Sequence, residues 1–220
     1  MKEFILKTKH SKAYSSLYFS LKFLLFYFFK MIYRVEVIGR EKIPRKGRLI
    51  LCSNHISYLD PFIIDTYYPR YVFFMAKAEI FKNNFLAPMA KFFNAYPVNR
   101  QSVDRKTFRY SVEILNDEEA IGIFPEGTRS PDGIIKDGHR GFGLIAVMGV
   151  SPVQPMALSG TNKIIQKPKK RLFFPKVRVI FGDVIETASI IEKYGKKEAV
   201  DIIVKKTMDE IKELYSRINI

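Results

Sequence analysis

Residues 13–33, AYSSLYFSLKFLLFYFFKMIY, form a long apolar stretch interrupted by Lys22 and Lys30. About 20 residues suffice to cross a bilayer, but the two lysines leave uncharged runs too short for a clean span. Wound at about 100° per residue, Lys12, Lys22 and Lys30 share an arc of roughly 80°, with Ser11, Ser15 and Ser16 close to it. Leu17, Leu21, Leu24, Leu25, Phe28, Met31 and Ile32 take the opposite side, while Phe19, Phe23 and Phe26 intrude on the polar arc. This pattern predicts an amphipathic helix lying in a membrane interface, lysines towards headgroups and aromatics towards acyl chains. A cleaved signal peptide would need a small-residue cleavage site after Phe29, and none follows. A buried core helix would rarely set so many Phe and Tyr beside lysines.

From residue 34 the pattern changes to short apolar runs alternating with helical periods. The runs predict strands over Arg34–Ile38, Arg48–Ser53, Tyr71–Met75, Tyr96–Val98, Ala120–Phe124, Val153–Leu158 and Lys176–Phe181. Helices are predicted over Pro61–Tyr68, Phe85–Phe93, Asp104–Leu115, Arg140–Met148 and Lys196–Ile218. Strands separated by helices imply an α/β fold, with a mixed, mainly parallel sheet flanked by helices. The chain therefore divides into an anchor, residues 1–33, and a domain, residues 34–220. The basic segment Gly160–Arg171 reads as a surface loop.

Composition narrows the function classes. The chain has 220 residues, 47% of them hydrophobic and 14% aromatic, which excludes intrinsic disorder. Its single cysteine, Cys52, excludes an internal disulfide framework and a multi-Cys metal site, and three histidines leave little for a metal centre. The net charge of +15 is unevenly spread. Residues 1–48 carry 12 basic and 3 acidic side chains, and residues 161–182 carry 7 basic and no acidic ones. Such polarity suits an anionic partner. Residues 13–33 favour a membrane over a nucleic acid, for which no zinc-finger, basic-zipper or aromatic RNA-binding pattern appears.

Two segments carry candidate chemistry. The first, Ser53–Asp60, follows an apolar strand. His55 and Asp60 cannot share one face of a regular helix, because five steps turn the side chain by about 140° net. A turn feeding a helix could join them, with Asp60 as N-cap and Pro61 at the first helical position. Paired imidazole and carboxylate make a general base; a capping role for Asp60 alone is the plainer alternative. Cys52 could serve as a thiol nucleophile beside His55, although cysteine inside an apolar strand is usually a small buried hydrophobe. In the second segment, Ile121–Ser130, a strand runs into a Pro- and Gly-bearing turn. That turn places Glu126, Thr128 and Arg129 at the strand's C-terminal end, where open α/β sheets bind ligands. Arg129 offers a planar fork for phosphate or carboxylate. No glycine-rich phosphate loop ending in Lys-Ser/Thr is present, which argues against nucleoside triphosphate chemistry.

Taken together, the chain resembles the glycerolipid acyltransferase family, specifically the 1-acylglycerol-3-phosphate acyltransferases. Four blocks match in order: N-H-x-S-x-x-D at Asn54, His55, Ser57 and Asp60; Tyr96-Pro97-Val98-Asn99-Arg100; F-P-E-G-T-R-S at Phe124–Ser130; and Ser151-Pro152-Val153-Gln154-Pro155. The resemblance runs from about Val37 to Asp183. Two departures stand out: Asn99 replaces the usual acid, and His139-Arg140-Gly141 stands where many relatives carry a Lys-rich glycine segment. His139 is expected at the surface or the substrate's edge.

The resemblance implies transfer of a fatty acyl group from a thioester, acyl-CoA or acyl carrier protein, to the sn-2 hydroxyl of a lysophosphatidic acid. It implies His55 as base and Asp60 as its partner, without an acyl-enzyme and without metal or redox cofactor. Arg129 is expected on the acceptor phosphate with Lys77 and Arg100 as helpers. Gly127 and Thr128 belong to the same binding block, and Glu126 braces it. Expected partners are a lysophospholipid, the acyl carrier and an anionic membrane surface at the cytoplasmic face of a bacterial membrane, and no nucleic acid. Another lysolipid or glycerol-3-phosphate as acceptor, or a non-catalytic lipid-binding role, are the alternatives.

Overall fold

The computed structural model describes residues 11–98, 105–166 and 171–219. Helix α1 (Lys12–Ile32) leads into β1 (Glu36–Ile38), β2 (Leu49–Ser53), α2 (Asp60–Tyr67), β3 (Val72–Lys77), α3 (Leu86–Phe92) and β4 (Tyr96–Val98). Then come α4 (Arg105–Asn116), β5 (Ala120–Ile123), α5 (Arg140–Met148) and β6 (Val153–Ser159). A small pair, β7 (Ile165–Gln166) and β8 (Arg171–Leu172), precedes β9 (Arg178–Phe181) and α6 (Thr187–Ile218). Among the described residues the main sheet has seven strands in the order β1-β9-β6-β2-β5-β3-β4, parallel throughout except for the β6–β9 pair. The expected mixed, mainly parallel sheet is what forms.

Strands β2 and β5 lie at its centre and are buried along their whole length, so both read as unbroken apolar runs rather than alternating ones. Their side chains point alternately to two cores. Ile50, Cys52, Phe73 and Ile121 pack under α4, α5 and α6. Leu49, Leu51, Val72 and Phe74 pack under α1 and α2. Gly122 is required here, because a Cβ on it would collide with the ring of Phe74 on the neighbouring strand.

Helix α1 forms where its periodicity predicts, with Lys12 and Lys30 exposed, but Lys22 departs from the expected arrangement. Lys22 is only 6% exposed, and Tyr18 and Phe29 are buried beside it against the domain. The Lys22 ammonium donates to the carbonyls of Tyr68 (2.8 Å) and Arg70 (3.3 Å) at the C-terminal end of α2, where a helix presents partial negative charge. Tyr18 donates to Asp65 of α2 at 2.6 Å, and Lys22 stands 3.9 Å from the same carboxylate oxygen. Lys22 therefore faces the protein and not lipid headgroups. The outward side is Leu17, Phe23, Leu24, Tyr27, Phe28 and Met31, the last 76% exposed.

Two further expectations are corrected. The segment Gly160–Arg171 is not a plain loop: a 3-10 turn over Thr161–Lys163 buries Thr161 and Ile164 and leads to the antiparallel β7–β8 pair. Helix α6 begins at Thr187, ahead of its predicted start, because Gly195 (φ +73°) lets two helical segments join across a kink.

Candidate active site

The sheet order explains why distant residues meet. β6, β2, β5 and β3 are consecutive parallel neighbours, so the segments leaving their C-terminal ends gather at one edge. That edge receives Thr161 after β6, His55 after β2, Phe124–Ser130 after β5 and Lys77 at the end of β3.

The His55–Asp60 turn is built almost wholly from backbone and short polar groups. Asn54 reaches back to β6, accepting from the Leu158 N–H (2.8 Å) and donating to the Leu158 carbonyl (3.0 Å), which ends β2 and pins the turn. Asp60 is fully buried. Its Oδ2 lies 2.8 Å from His55 Nδ1 and accepts the N–H groups of Ile56 and Ser57, both at 2.7 Å. Its Oδ1 accepts the hydroxyl of Thr161 at 2.6 Å. Asp60 is thus not the helix N-cap, a position taken by Leu59 without a side-chain bond. Its carboxylate turns back to the turn ahead of the helix, where better-placed donors await it. The tautomer with its proton on Nδ1 gives Oδ2 a third donor beside the two amides and leaves Nε2 with a free lone pair. The imidazole stacks on Phe124, with ring centroids 4.0 Å apart, so its plane is fixed from both sides of the site.

The block after β5 is locked to this turn. Glu126 is buried; its Oε1 accepts the His55 backbone N–H (3.1 Å), and its Oε2 accepts the Ser130 hydroxyl (2.9 Å) and the Lys136 N–H (3.0 Å). The Ser130 N–H donates in turn to the His55 carbonyl at 2.7 Å. With both oxygens held by the chain, Glu126 ties the block after β5 to the His55 turn. Gly127 takes a left-handed φ of +66°, and a Cβ there would press on the ring of His139. Exposed His139 thus stands at the rim beside Gly127, as expected, and its N–H donates to the Pro125 carbonyl at 2.9 Å. Thr128 is exposed. Arg129 lies with its guanidinium carbon 3.4 Å from the ring centroid of Tyr58. Lys77 is exposed at the same sheet edge. Arg100 and Asn99 lie outside the described residues. Cys52 is buried within β2, and burial pushes its thiol far above the usual range, which removes it as a nucleophile. Among the described residues, no group of three or more His, Cys, Asp or Glu is gathered in a way that could hold a metal.

Sequence reasoning missed Thr161 and Tyr58. Thr161 follows the Asp60 turn by 101 positions and no spacing connects them. Tyr58 was in plain view, an aromatic inside the His55 block, but only the fold brings Arg129 onto it.

This geometry agrees with what comparison with known proteins finds. The model of the family described as Acyltransferase matches residues 34–159. The chain belongs to the acyltransferase family. Like the family's other members it is an enzyme, with the His55–Asp60 turn and the Phe124–Ser130 block both inside the matched region. It is 26% identical over 186 residues to the 1-acyl-sn-glycerol-3-phosphate acyltransferase of Bacillus subtilis, covering 84% of this chain and 90% of that one. The enzyme of the same name from Borreliella burgdorferi is 27% identical over 136 residues, covering 61% of this chain and 54% of that one. The crystal structure of the 1-acyl-sn-glycerophosphate acyltransferase of Thermotoga maritima shares the acyltransferase fold seen here. Its TM-score is 0.73 over 96% of this chain and 88% of that one, at 24% identity.

Proposed function

We propose that this acyltransferase moves a fatty acyl group from an acyl thioester to the sn-2 hydroxyl of 1-acylglycerol-3-phosphate, giving phosphatidic acid. The observation that carries the chemistry is the 2.8 Å contact between a fully buried Asp60 and His55 Nδ1 at the ligand-binding edge of the sheet. His55 Nε2 takes the hydroxyl proton as that oxygen attacks the thioester carbon. The tetrahedral intermediate then collapses, the C–S bond breaks, and the imidazolium returns the proton to the departing thiolate. Asp60 fixes the tautomer and stabilises the imidazolium formed between the two transfers. The acyl group passes directly from donor to acceptor, and the thioester supplies the driving force, so the reading calls on no cofactor beyond the acyl carrier.

Arg129 takes the acceptor phosphate, for which its planar fork is suited, and Lys77 adds positive charge at the same edge; Arg100, outside the described residues, is the further helper that the family resemblance implies. The acceptor and product are lipids. The apolar outward side of α1 supports a monotopic attachment that brings this edge to a bilayer surface, at the cytoplasmic face in a bacterial cell.

The test mixes purified protein in mild detergent with 1-acylglycerol-3-phosphate and either palmitoyl-CoA or palmitoyl carrier protein, and follows products by mass spectrometry. Phosphatidic acid from the parent, with a loss of about 10²–10⁴-fold or more in His55→Ala, is the expected result. Undiminished turnover by His55→Ala refutes the base. Product from other lysolipids but not from the phosphate-bearing acceptor refutes the assigned acceptor.

A further inference from the structure

Arg129 is placed in an unusual way for a surface arginine at a binding edge. Among the described residues its guanidinium has neither an ion pair nor a hydrogen bond, and its contact is the ring of Tyr58, 3.4 Å away. Tyr58 in turn fills no core, being 72% exposed. It projects from a stiff turn: the Leu59 N–H donates to Ser57 Oγ (3.2 Å), the Asp60 N–H to the Ser57 carbonyl (3.3 Å), and the Ser57 N–H to Asp60 itself. The ring is therefore tied to the catalytic turn by its own backbone.

What the stack does follows from guanidinium geometry. All five N–H donors lie in the plane of the group, and an aromatic ring occupies its face. A carboxylate neighbour would orient Arg129 by engaging two of those donors and neutralising its charge. A ring orients it while leaving the donors and the charge free for a ligand. We infer that Tyr58 is a positioning and specificity residue: a shelf that holds Arg129 with its edge open to a phosphomonoester on the acceptor. The inference rests on the reading of Arg129 as the phosphate contact. It assigns that recognition to both halves of the site, because Tyr58 belongs to the His55 turn and Arg129 to the block after β5. The same stack sets the distance from bound phosphate to the imidazole, so acceptors with a neutral or bulkier headgroup lose the advantage.

Steady-state kinetics on the full-length protein test this, with 1-acylglycerol-3-phosphate and 1-acylglycerol as acceptors and palmitoyl-CoA or palmitoyl carrier protein as donor. Tyr58→Leu raises the KM for 1-acylglycerol-3-phosphate by about 3- to 30-fold, the range a cation–π contact supports. The KM for the donor stays within about twofold, and the preference for 1-acylglycerol-3-phosphate over 1-acylglycerol shrinks. Tyr58→Phe, which keeps the ring and loses the hydroxyl, restores the acceptor KM. Because Tyr58 is exposed, loss of the fold does not complicate the reading. The shelf is overturned by a parental acceptor KM in Tyr58→Leu, by Tyr58→Phe falling as far as Tyr58→Leu, or by equal rises for acceptor and donor. Arg129→Ala separates the two layers. If it leaves the acceptor KM unchanged, the phosphate reading itself is refuted. If it raises that KM while Tyr58→Leu does not, only the shelf is refuted. The double variant Tyr58→Leu/Arg129→Ala is no worse than Arg129→Ala alone if Tyr58 acts through Arg129, and additive losses overturn the inference.

Discussion

Asp60 serves four donors at once: the His55 ring, two backbone amides and the Thr161 hydroxyl. The amides come with the turn, so Thr161 is the one side chain besides His55 whose removal leaves a carboxylate oxygen short of a partner in a buried place. Thr161→Val keeps the shape and deletes the hydroxyl, and the loss of a bond to a charged group is worth roughly 1.5–3 kcal/mol. Steady-state rates should show kcat falling about 10- to 100-fold with little change in acceptor KM, and Thr161→Ser should recover most of it. A fall in KM-dependent terms alone would contradict this assignment. The contrast with Arg129, where the acceptor KM moves first, separates residues that hold the base from residues that hold the lipid. It also marks what the sequence could disclose at this scale. His55 and Asp60 are five positions apart, and Arg129 stands three after Glu126, so local spacing exposes them. Thr161 is joined to Asp60 only because β6 lies beside β2, and that adjacency is a property of the closed sheet.

At the scale of elements, the junction of α1 with α2 is a buried polar contact in an otherwise apolar seam. Burial pushes the Asp65 carboxyl up to about 6 despite the nearby Lys22, and lowers the Lys22 ammonium despite Asp65, so desolvation outweighs attraction for both. Removing one partner strands the other: Lys22→Met or Asp65→Asn should each cost about 3–5 kcal/mol in urea denaturation, whereas Lys22→Met/Asp65→Leu should recover much of that loss. Asp65 also gives a pH signature. Its carboxyl holds its proton more tightly folded than unfolded, so its contribution is fully present below about 4, declines as pH rises to about 6, and is constant above. The stability gap between the parent and Asp65→Asn should narrow over that window, as read from denaturation at stepped pH; a gap that widens would contradict the sign. The periodicity of residues 13–33 grouped Lys22 with Lys12 and Lys30, yet Lys22 is buried while the other two are exposed. Periodicity could not single Lys22 out, because the buried Asp65 and the α2 carbonyls that attract it come from a different part of the chain.

For the whole molecule, the proposed attachment to a bilayer rests on the apolar outward side of α1, so it should depend on area buried more than on charge. Leu24→Glu/Met31→Glu, at two exposed positions, should reduce binding to phosphatidylglycerol-containing vesicles at least about tenfold in co-sedimentation while leaving thermal unfolding in detergent unchanged. Binding of the parent should persist in 1 M salt, where charge attraction is screened beyond about 3 Å. Most strands and helices were legible because each is a short apolar run or an amphipathic period closed by its own turn residues. The β7–β8 pair and the kink at Gly195 were not, since two-residue strands and a single left-handed glycine leave no periodic trace. The sheet order has one more effect, on the timing of assembly. β1 has as its neighbour β9, some 140 residues later, and β9 separates it from β6. During synthesis β1 therefore emerges well before its edge partner β9 and waits with that side open. Docking of α1 onto α2 needs no residue beyond about Arg70, so it can shield that seam before β9 is made, and it places the burden of early folding on Tyr18, Lys22 and Phe29.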